Sequence, residues 1–165
     1  MNGEIDLRQE LDELINKHGH WFVLRQAVPG RLCLCIDPIT KDCNPRCNIC
    51  LGSGNAFIDR FVKGRKSRPV RLSQTADMES RASLGIVTVP EAVFYIQYDI
   101  RPTELDFIIE LALSINDQEP EIPYRSIGVY SITDSRELRD QGGRIEYFSI
   151  TAQRKNWGQF EITDV

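Results

Sequence analysis

Apolar side chains recur near the start of the chain as Leu7, Leu11, Leu14 and Ile15, with Arg8, Glu10, Asp12 and Glu13 pointing elsewhere. That spacing is one face of a helix and predicts a short amphipathic helix over residues 5–17. Asp6 followed by Gln9 predicts a capping box, Lys17 and His18 suit the last turn, and Gly19 fits the stop. From Trp21 the rhythm changes. Trp21–Arg25 reads as a strand, Pro29-Gly30 as a turn, Phe57–Lys63 as a second alternating stretch, and residues 73–83 as a polar loop or short helix. From Leu84 onward the pattern is β: Val93, Tyr95 and Gln97 alternate with Phe94, Ile96, Tyr98 and Ile100. Leu105, Phe107, Ile109 and Leu111 share a face with Asp106, Ile108 and Glu110 opposite, after a connection at residues 101–104. A further strand covers Tyr124–Ile132, Gln141-Gly142-Gly143 turns the chain, Arg144–Gln153 forms the last long strand, and Phe160–Ile162 adds a short edge. Successive strands with short polar turns and no helices between them predict a mainly β fold, an antiparallel barrel or sandwich. The helix is expected to cover that core, because most helical stability comes from packing an apolar face.

Within this pattern one stretch obeys neither period. Cys33–Gly54 holds all five cysteines of the chain. Cys47-Asn48-Ile49-Cys50 has the spacing of a tight knuckle that points two sulfurs at one ion, and Gly52 and Gly54 after it let the backbone turn back toward the sulfurs. Cys33 and Cys35 are two apart, so in an extended strand both fall on one face. Asp37-Pro38, Asp42 and Asn44-Pro45 between the pairs are turn formers. Cys33, Cys35, Cys47 and Cys50 are therefore expected to form a structural zinc site on a zinc-ribbon-like insertion, with Cys43 left over. Two alternatives stay open at the level of ligands: Cys43 in place of Cys33, or His18 or His20 in place of one thiolate. A disulfide framework would favour an even count spread over a secreted chain, and buried cysteines without metal would suit Cys33 best, between Leu32 and Leu34. A closed four-sulfur shell leaves no open position for water or substrate. On this reading the chain divides into the helix and first strand (1–28), the cysteine segment (29–56) and a β-barrel domain (57–165).

The 165 residues suffice for one ordinary domain with a real core. Twenty basic against twenty-four acidic side chains give a net charge of −4, so no global attraction to nucleic acid or an anionic membrane is expected. The first residues have no basic segment followed by an apolar run, so no signal peptide is expected, and no stretch is apolar for long enough to span a bilayer. A reducing cytosol is the expected place of synthesis, where thiols hold metal more often than they pair. Locally, Arg60, Lys63, Arg65, Lys66, Arg68 and Arg71 place six positive charges in twelve residues, a candidate contact surface for a phosphate backbone or a partner. The competing reading is a solvated hairpin or loop with Gly64 at its tip. No enzyme is expected: two histidines leave little for a catalytic triad, and no phosphate-binding loop, dinucleotide fingerprint or H-E-x-x-H motif occurs. Asp99, Glu104, Asp106 and Glu110 lie close in sequence and are expected to be solvent-facing carboxylates.

Two parts of the chain are familiar together. The CxC pair, the spacer with Asp-Pro and Asn-Pro, and CxxCxGxG resemble a cysteine signature in neck proteins of tailed bacteriophages, which join the DNA-filled head to the tail. FYIQYDIRPTELDFIIEL, PYRSIGVYSI and GGRIEYFSITAQ resemble the barrel of head-to-tail connector or stopper proteins of that neck. CxxCxGxG also resembles the zinc repeats of J-domain co-chaperones, but only one repeat is present and there is no HPD tripeptide. The neck resemblance implies Cys33, Cys35, Cys47 and Cys50 as zinc ligands, with Gly52 and Gly54 closing the knuckle. It implies a structural virion protein, made in the host bacterial cytoplasm and forming a ring, commonly of six subunits, around the DNA channel. Its implied partners are the portal or adaptor protein on the head side and the tail terminator or tail tube on the other, with no membrane. The rival from a different class is a zinc-ribbon nucleic-acid-binding module using residues 60–71. A hydrolase built on the carboxylates would need an open metal position that four thiolates deny.

Overall fold

A computed structural model describes residues 6–67, 91–114 and 119–162. The expected loop at 73–83, the start of the β region at Leu84, and Arg68 and Arg71 lie outside the described residues. One helix, α1 (Leu7–His18), precedes six strands: β1 (His20–Leu32), β2 (Asn55–Ser67), β3 (Glu91–Gln97), β4 (Phe107–Leu111), β5 (Ser126–Arg139) and β6 (Ile145–Lys155). They close into an antiparallel barrel in the order β1-β2-β3-β6-β5-β4. β1 is hydrogen-bonded to both β2 and β4, so the first strand is a stave of the barrel and is not separate from residues 57–165.

Alternation sorts the side chains into two clusters. Phe22 and Leu24 of β1, Val62 of β2, Phe94 and Ile96 of β3, Ile108 of β4, Tyr130 and Ile132 of β5 and Phe148 and Ile150 of β6 fill the interior. The odd positions beside them do not all meet water. Val23, Ile109, Leu111 and Val129 form a second cluster with Leu51 and Ile162, against which Phe61, Phe107, Tyr124, Trp157 and Phe160 pack. The wall made by β1, β4 and β5 is thus apolar on both faces, and the C-terminal segment covers its outside. That segment is fastened by Ser126 N–H to Phe160 O at 2.9 Å and Ile162 N–H to Tyr124 O at 2.9 Å, with a single bridge at Arg125 and Glu161 where a short edge strand is predicted.

The helix covers one end of the barrel, as predicted, burying Ile15 to 1% exposure. Asp6 is its N-cap, accepting from Arg8 N–H at 3.1 Å. The expected capping box does not close, because Gln9 donates to Glu13 one turn on instead of reaching back. Lys63 donates to Asn16 O, Gln97 to Asp12, and Arg8 to Ile145 O while lying near the buried Glu146, so polar and charged groups of β2, β3, β6 and the helix fix its position.

Three expectations about turns are corrected. Pro29 and Gly30 lie inside β1, where the register shifts between Ala27 and Leu32; such an irregularity tolerates a residue with no N–H to give the ladder. Gly64 is no hairpin tip but pairs with His20 within β2, and a Cβ there would sit 2.6 Å from Tyr95 O and 2.8 Å from the Phe22 ring. β5 runs to Arg139, well past Ile132, because residues 133–139, polar except for Leu138, continue as a ribbon paired with β6. The turn after it is as predicted, with Gly143 N–H donating to Asp140 O at 3.0 Å.

Candidate metal centre

The cysteine segment is an insertion between β1 and β2, leaving the barrel at the end of β1 away from the helix. Cys33 N–H donates to Gly54 O at 2.8 Å and closes its base. Inside, the turn formers act as their chemistry dictates. Asp37 Oδ1 accepts from the N–H of Ile39 at 2.7 Å and of Thr40 at 3.0 Å, and the N–H groups of Thr40 and Ile39 hold its carboxyl below the usual range. Asn44 O accepts from Cys47 N–H at 3.1 Å, and Asn44 Oδ1 from Arg46 N–H at 3.0 Å. Leu51, Gly52 and Gly54 all have positive φ, at 51°, 76° and 78°. A Cβ on Gly52 would lie 3.1 Å from Pro45 O, and one on Gly54 would lie 3.5 Å from Cys43 Cβ, so the expected closing turn is present, crowded at Gly52 and at ordinary contact distance at Gly54.

These turns bring the sulfurs together. The Sγ atoms of Cys33, Cys35, Cys47 and Cys50 all lie within 4.8 Å of one another. Cys33 and Cys47 are 3.9 Å apart, and Cys35 and Cys50 3.4 Å. Four thiolates about 2.3 Å from one tetrahedral zinc stand roughly 3.8 Å from each other, so these residues fit the ion. The first pair converges by a different route from the one expected: Cys33 and Cys35 lie beyond β1, in a turn closed by Ile36 N–H on Cys33 O at 3.2 Å. His18 and His20 sit at the opposite end of β1 and take no part. Cys43 is not remote, as a leftover residue would be. Its Sγ is 3.4 Å from Cys35 and 3.5 Å from Cys50.

The electrostatics of the cluster are uneven. Burial pushes the Cys33 thiol up to about 12 and the Cys35 thiol up to about 11, and it raises Cys43. Burial also works against the Cys50 thiolate, yet the Gly54 backbone and the sulfurs of Cys35, Cys43 and Cys47 bring it down to about 6. A thiolate ringed by thiols is the pattern a soft cation completes.

One anchor of the site has no counterpart in the sequence pattern. Arg25 and Asp59 face each other across β1 and β2 on the outer face of the barrel, bonded Nε to Oδ1 at 2.7 Å and Nη2 to Oδ2 at 2.5 Å. The remaining Arg25 nitrogen donates to Asn48 O at 2.6 Å and Ile49 O at 3.0 Å, the two carbonyls inside the Cys47–Cys50 knuckle. A guanidinium, with five donors in a rigid fork, can hold a carboxylate and two carbonyls at once.

The basic stretch is dispersed. Lys66 donates to Glu110 at 2.7 Å and to the Tyr130 hydroxyl at 2.8 Å, so it is engaged within the protein. Lys63 is on the helix carbonyl of Asn16. Arg60 and Arg65 are exposed but five residues apart, which puts them on opposite faces of β2. The carboxylates are dispersed too: Asp106, expected to face solvent, is 2% exposed and accepts from the N–H groups of Ala27 at 2.8 Å and Thr103 at 2.7 Å.

Fold and site define a closed six-stranded antiparallel β-barrel that carries a cysteine cluster able to bind a metal on an insertion between its first two strands. No protein-family model matches the chain, and no curated protein matches it in sequence. Among the described residues no helix is long and apolar enough to cross a membrane.

Proposed function

We propose that this chain is a non-enzymatic assembly subunit of a tailed-phage neck, a head-to-tail connector or stopper in which zinc clips a docking projection to a rigid barrel. The observation that carries the reading is the projection itself. Cys33–Gly54 is seated on the barrel wall by Leu51 and Arg25 and drawn together by its sulfurs, and away from that seat it presents Leu34 at 99% and Ile39 at 88% exposure, with Ile49, and Leu32 at the end of β1, more than half exposed. Apolar side chains held in water on an ordered loop suit burial against another subunit. A ring of identical subunits follows from heterologous contacts whose rotation closes, and a metal adds order to a loop whose share in the core clusters is Leu51. The proposed partners remain a portal or adaptor protein, a tail terminator or tail tube, and channel DNA. The rival, a zinc-ribbon nucleic-acid binder, has less to draw on now that Lys63 and Lys66 are bonded internally.

The test is sedimentation and electron microscopy of zinc-loaded protein over a concentration series, beside a Leu34→Glu, Ile39→Glu variant. Rings or concentration-dependent oligomers, lost in the variant while its zinc is retained, are the expected result. A monomer at every concentration, whose binding to short duplex DNA falls steeply with salt, would transfer the function to nucleic-acid binding.

A further inference from the structure

Five sulfurs crowd a site that a tetrahedral ion fills with four. Cys43 therefore needs its own account, and its position supplies one. Its Sγ is 3.4 Å from that of Cys35, inside the sum of two sulfur radii, and both residues are half-exposed where Cys33 and Cys50 are buried. A side chain at Gly54 would have its Cβ 3.5 Å from Cys43 Cβ and 3.9 Å from Cys43 Sγ, so the fifth sulfur lies beside the turn that closes the knuckle. An accessible metal thiolate with a second thiol beside it is the arrangement in which oxidation ends in a disulfide and not in irreversible acids.

We propose that Cys35 and Cys43 form a peroxide-driven disulfide that ejects the metal, with Cys35 as the oxidised ligand and Cys43 as the resolving thiol. The Cys35 thiolate attacks one oxygen of hydrogen peroxide; the O–O bond breaks, the sulfur becomes a sulfenic acid, and hydroxide leaves. Cys43 Sγ then attacks that sulfur, the S–S bond forms, the S–O bond breaks, and the Cys43 proton leaves with the oxygen as water. Two thiols lose two electrons and peroxide gains them. Cys33, Cys47 and Cys50 remain, a three-sulfur set with weaker hold on zinc. The inference rests on the metal reading of the site and is independent of the neck assignment.

The experiment treats the zinc-loaded full chain with hydrogen peroxide, follows released zinc with a colorimetric chelator, and maps disulfides by mass spectrometry after alkylation. The expected result is release of the one bound zinc together with a Cys35–Cys43 bridge, both reversed by dithiothreitol and added zinc. Cys43→Ser should carry the same zinc before treatment. Afterwards it should accumulate sulfinic or sulfonic acid at Cys35, with recovery by dithiothreitol below about a tenth of the wild-type value, since those acids are not reduced by thiols. A Cys43→Ala variant repeats the comparison without the added hydroxyl. Loss of zinc from both Cys43 variants as purified would make Cys43 a ligand and overturn the proposal. So would zinc release through a Cys33–Cys47 bridge, or zinc retained under peroxide. Absence of zinc from freshly reduced wild-type protein would overturn the metal reading itself, a failure distinct from the others.

Discussion

Arg25 is the polar link between the barrel and the cysteine segment, beside the apolar one made by Leu51, and replacing it with methionine tests how they are coupled. The side chains of Arg25 and Asp59 are 7% and 8% exposed, so the pair is effectively out of water. Methionine keeps much of the volume but leaves the Asp59 carboxylate buried without a counterion and the Asn48 and Ile49 carbonyls without their donor. Breaking one side of a buried pair costs about 3–5 kcal/mol, because the remaining charge is uncompensated. The two knuckle carbonyls can turn toward water, so their full desolvation penalty does not add. A loss of about 4 kcal/mol should lower the midpoint of thermal unfolding by roughly 10 °C, at 2–4 °C per kcal/mol for a chain of this size. The double variant Arg25→Met, Asp59→Leu removes both charges and should recover about 2 kcal/mol or more, since a buried pair replaced by apolar groups is often neutral. Its knuckle still lacks the strut, so zinc transfer to a chelator should stay faster than wild type in both variants. Urea unfolding of zinc-loaded protein and the zinc transfer rate are the two readouts. Arg25→Met within about 0.5 kcal/mol of wild type, the range of ordinary surface substitutions, with an unchanged transfer rate, would refute the coupling.

Removing the metal with a chelator should expose the amides of residues 33–54 to hydrogen exchange while those of β3 and β6 stay protected, because the loop's order depends on the sulfurs and the barrel's on the interior cluster; equal loss of protection in both would show one cooperative unit. Gly54→Ala forces a side chain onto a backbone at φ 78° and against Ile36 and Cys43, and should lower stability by about 1–2 kcal/mol and weaken zinc retention, read by urea unfolding and metal competition. For Lys66, burial works to lower the ammonium, but the bonds to Glu110 and Tyr130 raise it above its ordinary 10.5. A raised pKa gives stability that is fully present below 10.5 and lost as pH climbs through the higher folded value, so Lys66→Met should reduce stability at neutral pH and flatten the loss above pH 10.5 in pH-dependent melts.

The alternation of β3 and the run Phe107–Leu111 was legible because interior and exterior side chains differ in kind or in neighbours, and the knuckle was legible because CxxCxGxG is a local device whose parts lie within one turn. What escaped reading was set by pairing between distant segments. The stretch 133–139, polar except for Leu138, carries no strand signal of its own and is extended because each residue from Asp134 on has a partner on β6. Residues 26–32 carry Pro29 and Gly30, which read as a turn, and only the partner β2 shows that the strand continues across them. Asp106 read as a surface carboxylate because nothing in its neighbourhood says that Ala27, far back in the chain, will offer an N–H to it.

Arg25 shows the same limit from the functional side. In the sequence Arg25 is only the last residue of the strand stretch Trp21–Arg25, and Asp59 one acidic residue within the alternating stretch Phe57–Lys63. Register alone makes them opposite neighbours, and only the double-sided wall makes their shared face a buried one: Phe160 lies 5.8 Å from the guanidinium, and Ile162 and Phe57 line the same recess. The site therefore has two kinds of determinant. Its ligands are written locally, so a cysteine segment of this kind could be moved between chains and still gather a metal. Its orientation on the barrel is written in the fold, through Leu51 in the outer cluster and a guanidinium that reaches from a stave to the knuckle, so the same segment grafted elsewhere without Arg25 and Asp59 should bind zinc yet lose the fixed direction that the proposed docking needs.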